Sequence, residues 1–274
     1  MDRYLIAIDI DGTLLNKDRV ISKATKEYLL KLSNEGHLIV LASGRPIRSL
    51  VQFHDELKLD TPLICYNGAL VFSLNDKNFK TREYIFKKEI VNEIYYSIKP
   101  YIDNAMCETN TDIYIDKVDE TLDIFFWYKG MNIHQGEFKD ILKEDVITFI
   151  AKLNQKGIEH NEEITKRCSK YEGIEERFWR GLPYVELYHK KATKGNALLD
   201  IAEYYKIPQK NIISIGDSDN DLYMLQVAGY GVALANAKEF LKSNADIITQ
   251  KSNHEDGVIE AIEDIFNGKY KSKF

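Results

Sequence analysis

Apolar strands that end in acids, alternating with amphipathic helices, predict an α/β fold with an inserted α+β domain. Three observations carry that prediction. From Leu5 to Phe72 strand and helix signals alternate, the order expected of βαβ units around a parallel sheet with helices on both faces. From about Arg82 to Tyr188 the texture changes to dense aromatics, with strand-like and helix-like stretches interleaved. The first pattern then returns. One domain split by an insertion explains the return more simply than three domains do. The expected boundaries are therefore 1–81 with 189–274 for a discontinuous, Rossmann-like core, and 82–188 for the insert.

The elements follow in order. "YLIAIDI" is an almost continuous apolar run, as a strand buried on both faces requires. "SKATKEYLLKLSNEG" places Tyr28, Leu29 and Leu32 at helical spacing, with Ser22 as N-cap and Gly36 as the stop. "HLIVLASG" is the next buried strand, and a helix begins near Pro46. "PLICYNGALVF" sets two short apolar runs around Asn67-Gly68, a strong hairpin signal. In the insert, "EIYYSIKPYI", "LDIFFWYKG" and "ERFWRGLPYVELYH" hold the aromatics, read as core rather than as a base-stacking platform. There "DVITFIAKL" reads as a strand and "EEITKRCSKYEG" as a helix. After it, "TKGNALLDIAEYYKI" is a helix with Ala197, Leu198, Ile201, Ala202 and Tyr205 on one side. "NIISIGDSDND" is a strand ending in acids, and "YGVALANA", "ADIIT" and "GVIEAIEDIF" complete the set.

Composition narrows the function classes. The chain has 274 residues, 44% of them hydrophobic and 29% charged, an ordinary globular balance. A net charge of −6 gives no electrostatic footprint for nucleic acid or an anionic membrane. No apolar run approaches the roughly 20 residues that span a bilayer. The first strand begins within a few residues of Met1, which leaves no room for a signal peptide. Cys65, Cys107 and Cys168 are an odd number at wide spacing, so a reducing cytoplasm is the expected home. The six histidines fall in no metal-binding pattern.

Chemistry concentrates where predicted strands end. In a strand, residues i and i+2 face the same way, so Asp9 and Asp11 are expected to project together from the first strand's carboxyl end. Ligands of open parallel sheets bind at that end. "GDSDND" places Asp217, Asp219 and Asp221 after another strand. An EF-hand loop fails there, because its sixth and twelfth positions hold Leu222 and Ala228 instead of glycine and glutamate. Two carboxylate clusters suit a hard divalent ion, Mg²⁺, which binds phosphate oxygens and offsets the packed negative charge. Ser43 and Gly44 in "LASGRP" offer a hydroxyl and an unhindered N–H to a phosphate ester. Lys194 in "KKATKG" adds a cation at a helix N-terminus.

With these residues in view, the sequence resembles the haloacid dehalogenase-like phosphohydrolases, in the Cof-type branch whose cap is inserted between the second and third motifs. "DIDGTLL", "ASGRP", "TKG" and "GDSDND" are similar to its four motifs in order, and "YNGA", "GVALANA" and "EDGV" look like stretches common in it. The resemblance covers residues 1–80 and 190–274; over the cap it is architectural only. It implies that Asp9 takes the phosphoryl group as an aspartyl-phosphate, while Asp11 protonates the leaving alcohol and then activates water. It also implies Mg²⁺ on Asp9, the Asp11 backbone carbonyl and Asp217. Phosphate contacts would come from Ile10, Ser43, Gly44, Lys194 and Asn220, and Asp221 would orient Lys194 or a metal-bound water. The cap would exclude water and choose the leaving group.

The implied activity is a Mg²⁺-dependent phosphatase of small phosphorylated metabolites, such as sugar phosphates or pyridoxal phosphate. A phosphomutase of the same superfamily is the enzymatic rival; it would isomerise a sugar phosphate rather than release phosphate. A receiver-like module, phosphorylated on aspartate as a signal, is the non-enzymatic rival. Receivers are about half this length and lack an inserted cap, and the second acid two residues after Asp9 favours turnover.

Overall fold

Residues 2–119, 122, 130–179 and 181–274 are described in the computed structural model. Contacts divide the chain into two units, Met1–Arg82 with Thr193–Phe274, and Glu83–Ala192.

The first unit opens with strand β1 (Leu5–Asp9), buried along its whole length. Its alternate side chains serve two faces of the sheet. Leu5 and Ala7 join a core cluster with Val40, Ile64, Leu198 and Ile201, and Ile6 and Ile8 are equally buried. Each such fully buried Leu or Ile contributes about 1.5–3 kcal/mol. The helix Lys23–Asn34 starts as expected, with the Ser22 side chain accepting from the Thr25 N–H, and it ends two residues before Gly36. Asp256, in the "EDGV" stretch, accepts hydrogen bonds from Ser22 and Thr25 and so ties this helix start to the chain's last helix, Gly257–Phe266. Strand β2 (Leu38–Ala42) follows, then the helix Ile47–Glu56 directly after Pro46. The hairpin forms from β3 (Leu63–Cys65) and β4 (Leu70–Phe72), antiparallel and joined by a turn at Tyr66–Gly68. The two-residue β5 (Arg82–Glu83) ends this run.

The second unit carries its own sheet: β6 (Ile102–Glu108), β7 (Asp112–Ile115), β8 (Asn132–Gln135), β9 (Thr148–Leu153), β10 (Ile174–Phe178) and β11 (Tyr184–His189). They lie in the order β10-β11-β9-β6-β7-β8, antiparallel except for the β7–β8 pair. One face packs Ala105, Cys107, Phe149 and Ala151 against helices Lys88–Ile98 and Asn161–Cys168. The aromatics serve as core: Tyr95, Phe138 and Phe149 are fully buried, with Tyr95 stacked on Phe138 at 4.4 Å. Of the "LDIFFWYKG" run, residues 123–129 lie outside the described residues.

The chain then re-enters the first unit through the helix Lys194–Tyr205, β12 (Ile212–Gly216), β13 (Tyr230–Ala233) and β14 (Ile247–Ile248). The sheet reads β14-β13-β12-β1-β2-β3-β4-β5, parallel from β14 through β3. Register fixes what meets at its carboxyl edge. Ile8 lies opposite Ile215 and Asp9 opposite Ala42, so the loops after β1, β2 and β12 leave side by side. Among the described residues no helix is long and apolar enough to cross a membrane.

Candidate active site

Asp9 is the last residue of β1, and its side chain is buried. The strand stops there. Asp11 is itself extended (φ −84°, ψ 117°), and Gly12 (φ +81°) turns the chain away within the Ile10–Leu14 segment that follows. Asp11 is exposed there, and the Arg45 guanidinium grips both of its oxygens, Nε to Oδ2 at 2.7 Å. Gly12 is required twice over. Its positive φ disfavours a side chain, and a Cβ there would meet Asp217 Oδ2 at 2.5 Å. Only a bare backbone lets the β12 loop approach this closely. Thr13 Oγ1 then donates to Asp217 Oδ1 at 3.3 Å.

The counter-charge comes from Lys194. Thr193 caps its helix by accepting from the Asn196 N–H at 3.0 Å, and Lys194 is the first helical residue. Its ammonium is completely buried and donates to Asp9 Oδ1 at 2.5 Å and to Asp221 Oδ1 at 2.6 Å. Asp221 is held in turn: its other oxygen accepts from the N–H groups of Asp217 (3.1 Å) and Ser218 (3.0 Å). A lysine without those partners would be costly to bury.

The electrostatics are unbalanced. Carboxylate oxygens of Asp9, Asp217 and Asp221 all lie within 4.8 Å of one another, with one buried ammonium among them. Burial, then the charge of Asp221, holds the Asp9 carboxyl well above the usual carboxylate range, although Lys194 pulls it down. Burial and Asp221 likewise push Asp217 up to about 6. Burial alone would lower the Lys194 ammonium's pKa, but Asp221 and Asp9 more than reverse that and raise it. A hard, oxygen-only donor set with excess negative charge fits a divalent cation.

The remaining expected residues lie on the segments that follow β1, β2 and β12. Ser43, directly after β2, is buried, and its Oγ accepts from the Arg45 N–H at 3.1 Å. Gly44 is exposed. The Ile10 side chain is fully buried, so only its backbone could reach a ligand. Asn220 Nδ2 donates to Asn67 Oδ1 at 2.8 Å. Asp219 lies aside, 3.6 Å from Lys238.

Three contributors were not predicted for the site. Arg45 stands two residues after Ser43 in "ASGRP", a cation at a strand end. Asn67 reads in the sequence as a turn residue within the "YNGA" stretch, and it also accepts from Asn220. Gly68 (φ +96°) lets the hairpin turn pack on the lysine helix, since a Cβ there would lie 2.3 Å from the Thr193 carbonyl oxygen. The sequence alone does not reveal that this turn meets a helix far along the chain.

A family model described as haloacid dehalogenase-like hydrolase matches residues 6–262. The chain is 31% identical to 5-amino-6-(5-phospho-D-ribitylamino)uracil phosphatase YitU of Bacillus subtilis, over 96% of this chain and 98% of that one. It is 29% identical to YwtE of the same organism, a phosphatase of the same name, over 97% of this chain and 99% of that one. A crystal structure of a haloacid dehalogenase-like hydrolase from Bacteroides thetaiotaomicron superposes with a TM-score of 0.81 at 29% identity, covering 97% of this chain and 100% of that one.

Proposed function

The chain belongs to the haloacid dehalogenase-like hydrolases, and from that premise we propose that it is a Mg²⁺-dependent phosphatase of small phosphomonoesters, with Asp9 as nucleophile. The observation that carries this proposal is the buried Asp9–Lys194–Asp221 arrangement with Asp217 beside it, at the carboxyl ends of β1 and β12.

In this proposal an Asp9 oxygen attacks phosphorus, a new O–P bond forms and the P–O bond to the alcohol breaks. Asp11 gives the departing alkoxide a proton, then takes one from the water that cleaves the aspartyl-phosphate and frees Asp9. Lys194 holds Asp9 in place and neutralises charge on the transferred group, where phosphoryl transfer gains most of its rate. Asp221 keeps Lys194 aimed at Asp9. Ser43, the Gly44 and Ile10 backbone and Asn220 would bind the phosphate oxygens. Asp9, Asp217 and the Asp11 carbonyl would hold Mg²⁺, with Asp221 close by; when bound it supplies positive charge to the phosphate oxygens and to the crowded carboxylates.

For the leaving group we propose sugar phosphates or similar esters. The phosphoribitylaminouracil for which YitU and YwtE are named is one candidate. The test is phosphate release from a panel of such esters with and without Mg²⁺, alongside Asp9→Asn. Magnesium-dependent release that the variant abolishes supports the proposal. Release that survives Asp9→Asn removes the nucleophile, and an isomerised sugar phosphate in place of free phosphate would favour the mutase.

A further inference from the structure

The contact that the four motifs leave unexplained is the two-pronged grip of Arg45 on Asp11. We propose that Arg45 is a positioning residue for Asp11: its guanidinium fork fixes the carboxyl group that serves the leaving oxygen. This inference rests on the phosphatase proposal above and adds a residue to it.

Asp11 needs such a partner. Its side chain is 56% exposed on a turn, and no other hydrogen bond to its carboxylate is found among the described residues. An exposed carboxylate left to itself samples several rotamers. Arg45 is the better-anchored of the two, with its side chain only 22% exposed. Its N–H donates to Ser43 Oγ at 3.1 Å and its carbonyl accepts from the Tyr66 N–H at 3.1 Å. Its guanidinium carbon lies 5.8 Å from the centre of the Phe53 ring. A planar fork meeting both carboxylate oxygens fixes direction as well as distance, which a lysine cannot do. A pair this exposed contributes little to stability. Its value lies in geometry.

The same backbone turn carries Ser43, expected to hold phosphate, and Arg45, which holds Asp11. The loop after β2 therefore sets the phosphate site and the acid in one register.

The experiment compares Arg45→Gln and Arg45→Lys with the unaltered enzyme on an alkyl phosphate and on p-nitrophenyl phosphate. The ratio kcat/KM contains only steps through departure of the leaving group. An alkoxide needs a proton to leave, whereas p-nitrophenolate leaves as the anion. For Arg45→Gln we expect kcat/KM to fall about 10- to 100-fold on the alkyl ester, part of the roughly 10²–10⁴-fold a positioned acid supplies, and less than about 3-fold on the aryl ester. Arg45→Lys keeps the charge without the fork and should follow Arg45→Gln. Equal losses on both esters would mean that Arg45 binds phosphate or merely supports the loop, and would overturn the proposal. Full rescue by lysine would overturn it as well. An unaltered enzyme inactive on both esters strikes the phosphatase assignment itself.

Discussion

Removing the Asp217 carboxylate should make the metal-free protein more stable while disabling it. Asp217 shares its site with Asp9 and Asp221, and among the described residues only Lys194 lies among them as a buried counter-charge. Burial and Asp221 raise its pKa from 3.8 to about 6. A raised carboxyl pKa means that the folded state favours the protonated form. The penalty is therefore absent below about pH 4, grows between about pH 4 and 6, and is full above that range. A little over two units at 1.36 kcal/mol each gives about 3 kcal/mol, or about 2–3 after allowing for partial solvent screening. Asp217→Asn keeps the shape and can still accept from Thr13, so it should recover that energy. The expected gain in Tm is about 5–10 °C, at about 2–4 °C per kcal/mol for chains of this size. The assay is thermal unfolding in chelator at about pH 5 and about pH 8, repeated with excess Mg²⁺. The variant should gain on the unaltered protein at both, by roughly half as much at the lower pH as at the higher. Magnesium at about 100 times Kd should stabilise the unaltered protein by about 2.7 kcal/mol and the variant by far less. A variant no more stable than its parent at the higher pH, or one stabilised equally by magnesium, would refute the reasoning.

Lys194→Met has the opposite effect. It strands two buried carboxylates and should cost about 3–5 kcal/mol in denaturant unfolding, with loss of phosphate release. Gly12→Ala faces both a positive φ, worth about 1–2 kcal/mol, and a clash with Asp217, so calorimetric titration should show weakened Mg²⁺ binding. Asn67→Ala frees Asn220 and should raise KM for phosphate esters more than it lowers kcat in steady-state assays. Cys65, Cys107 and Cys168 are all buried, and burial raises each thiol's pKa. A thiol reagent should therefore find almost nothing in the native protein and three groups after denaturation.

Much of the core was legible because its signals are local. The run "YLIAIDI" could only be a strand covered on both sides, and Ser22 and Pro46 mark helix starts by their own chemistry. The acids of "DIDGT" and "GDSDND" lie at strand ends, and the parallel register brings those ends together. The failures concern geometry between distant segments. Strand periodicity marks Asp9 and Asp11 as a pair, but it carries no trace of the Arg45 side chain that meets Asp11 from the loop after β2. Asn67 was read from its neighbour Gly68 as turn chemistry. Its contact with Asn220, 153 positions away, has no local trace. The second unit gave only its class, since its aromatics mark a core without fixing which strands pair.

The pairing of β1 with β12 ties Leu5 to Ile212, so the middle of the main sheet is stitched from opposite ends of the polypeptide. Synthesis runs from the amino terminus at about 5–20 residues per second. A nascent chain therefore carries Asp9 and Asp11 for many seconds before Lys194, Asp217 and Asp221 exist. Until the helix Lys194–Tyr205 and β12 have emerged, Asp9 has neither its ammonium partner nor its neighbouring acids. Truncated products of interrupted translation should thus be catalytically silent, however well their inserted unit has folded.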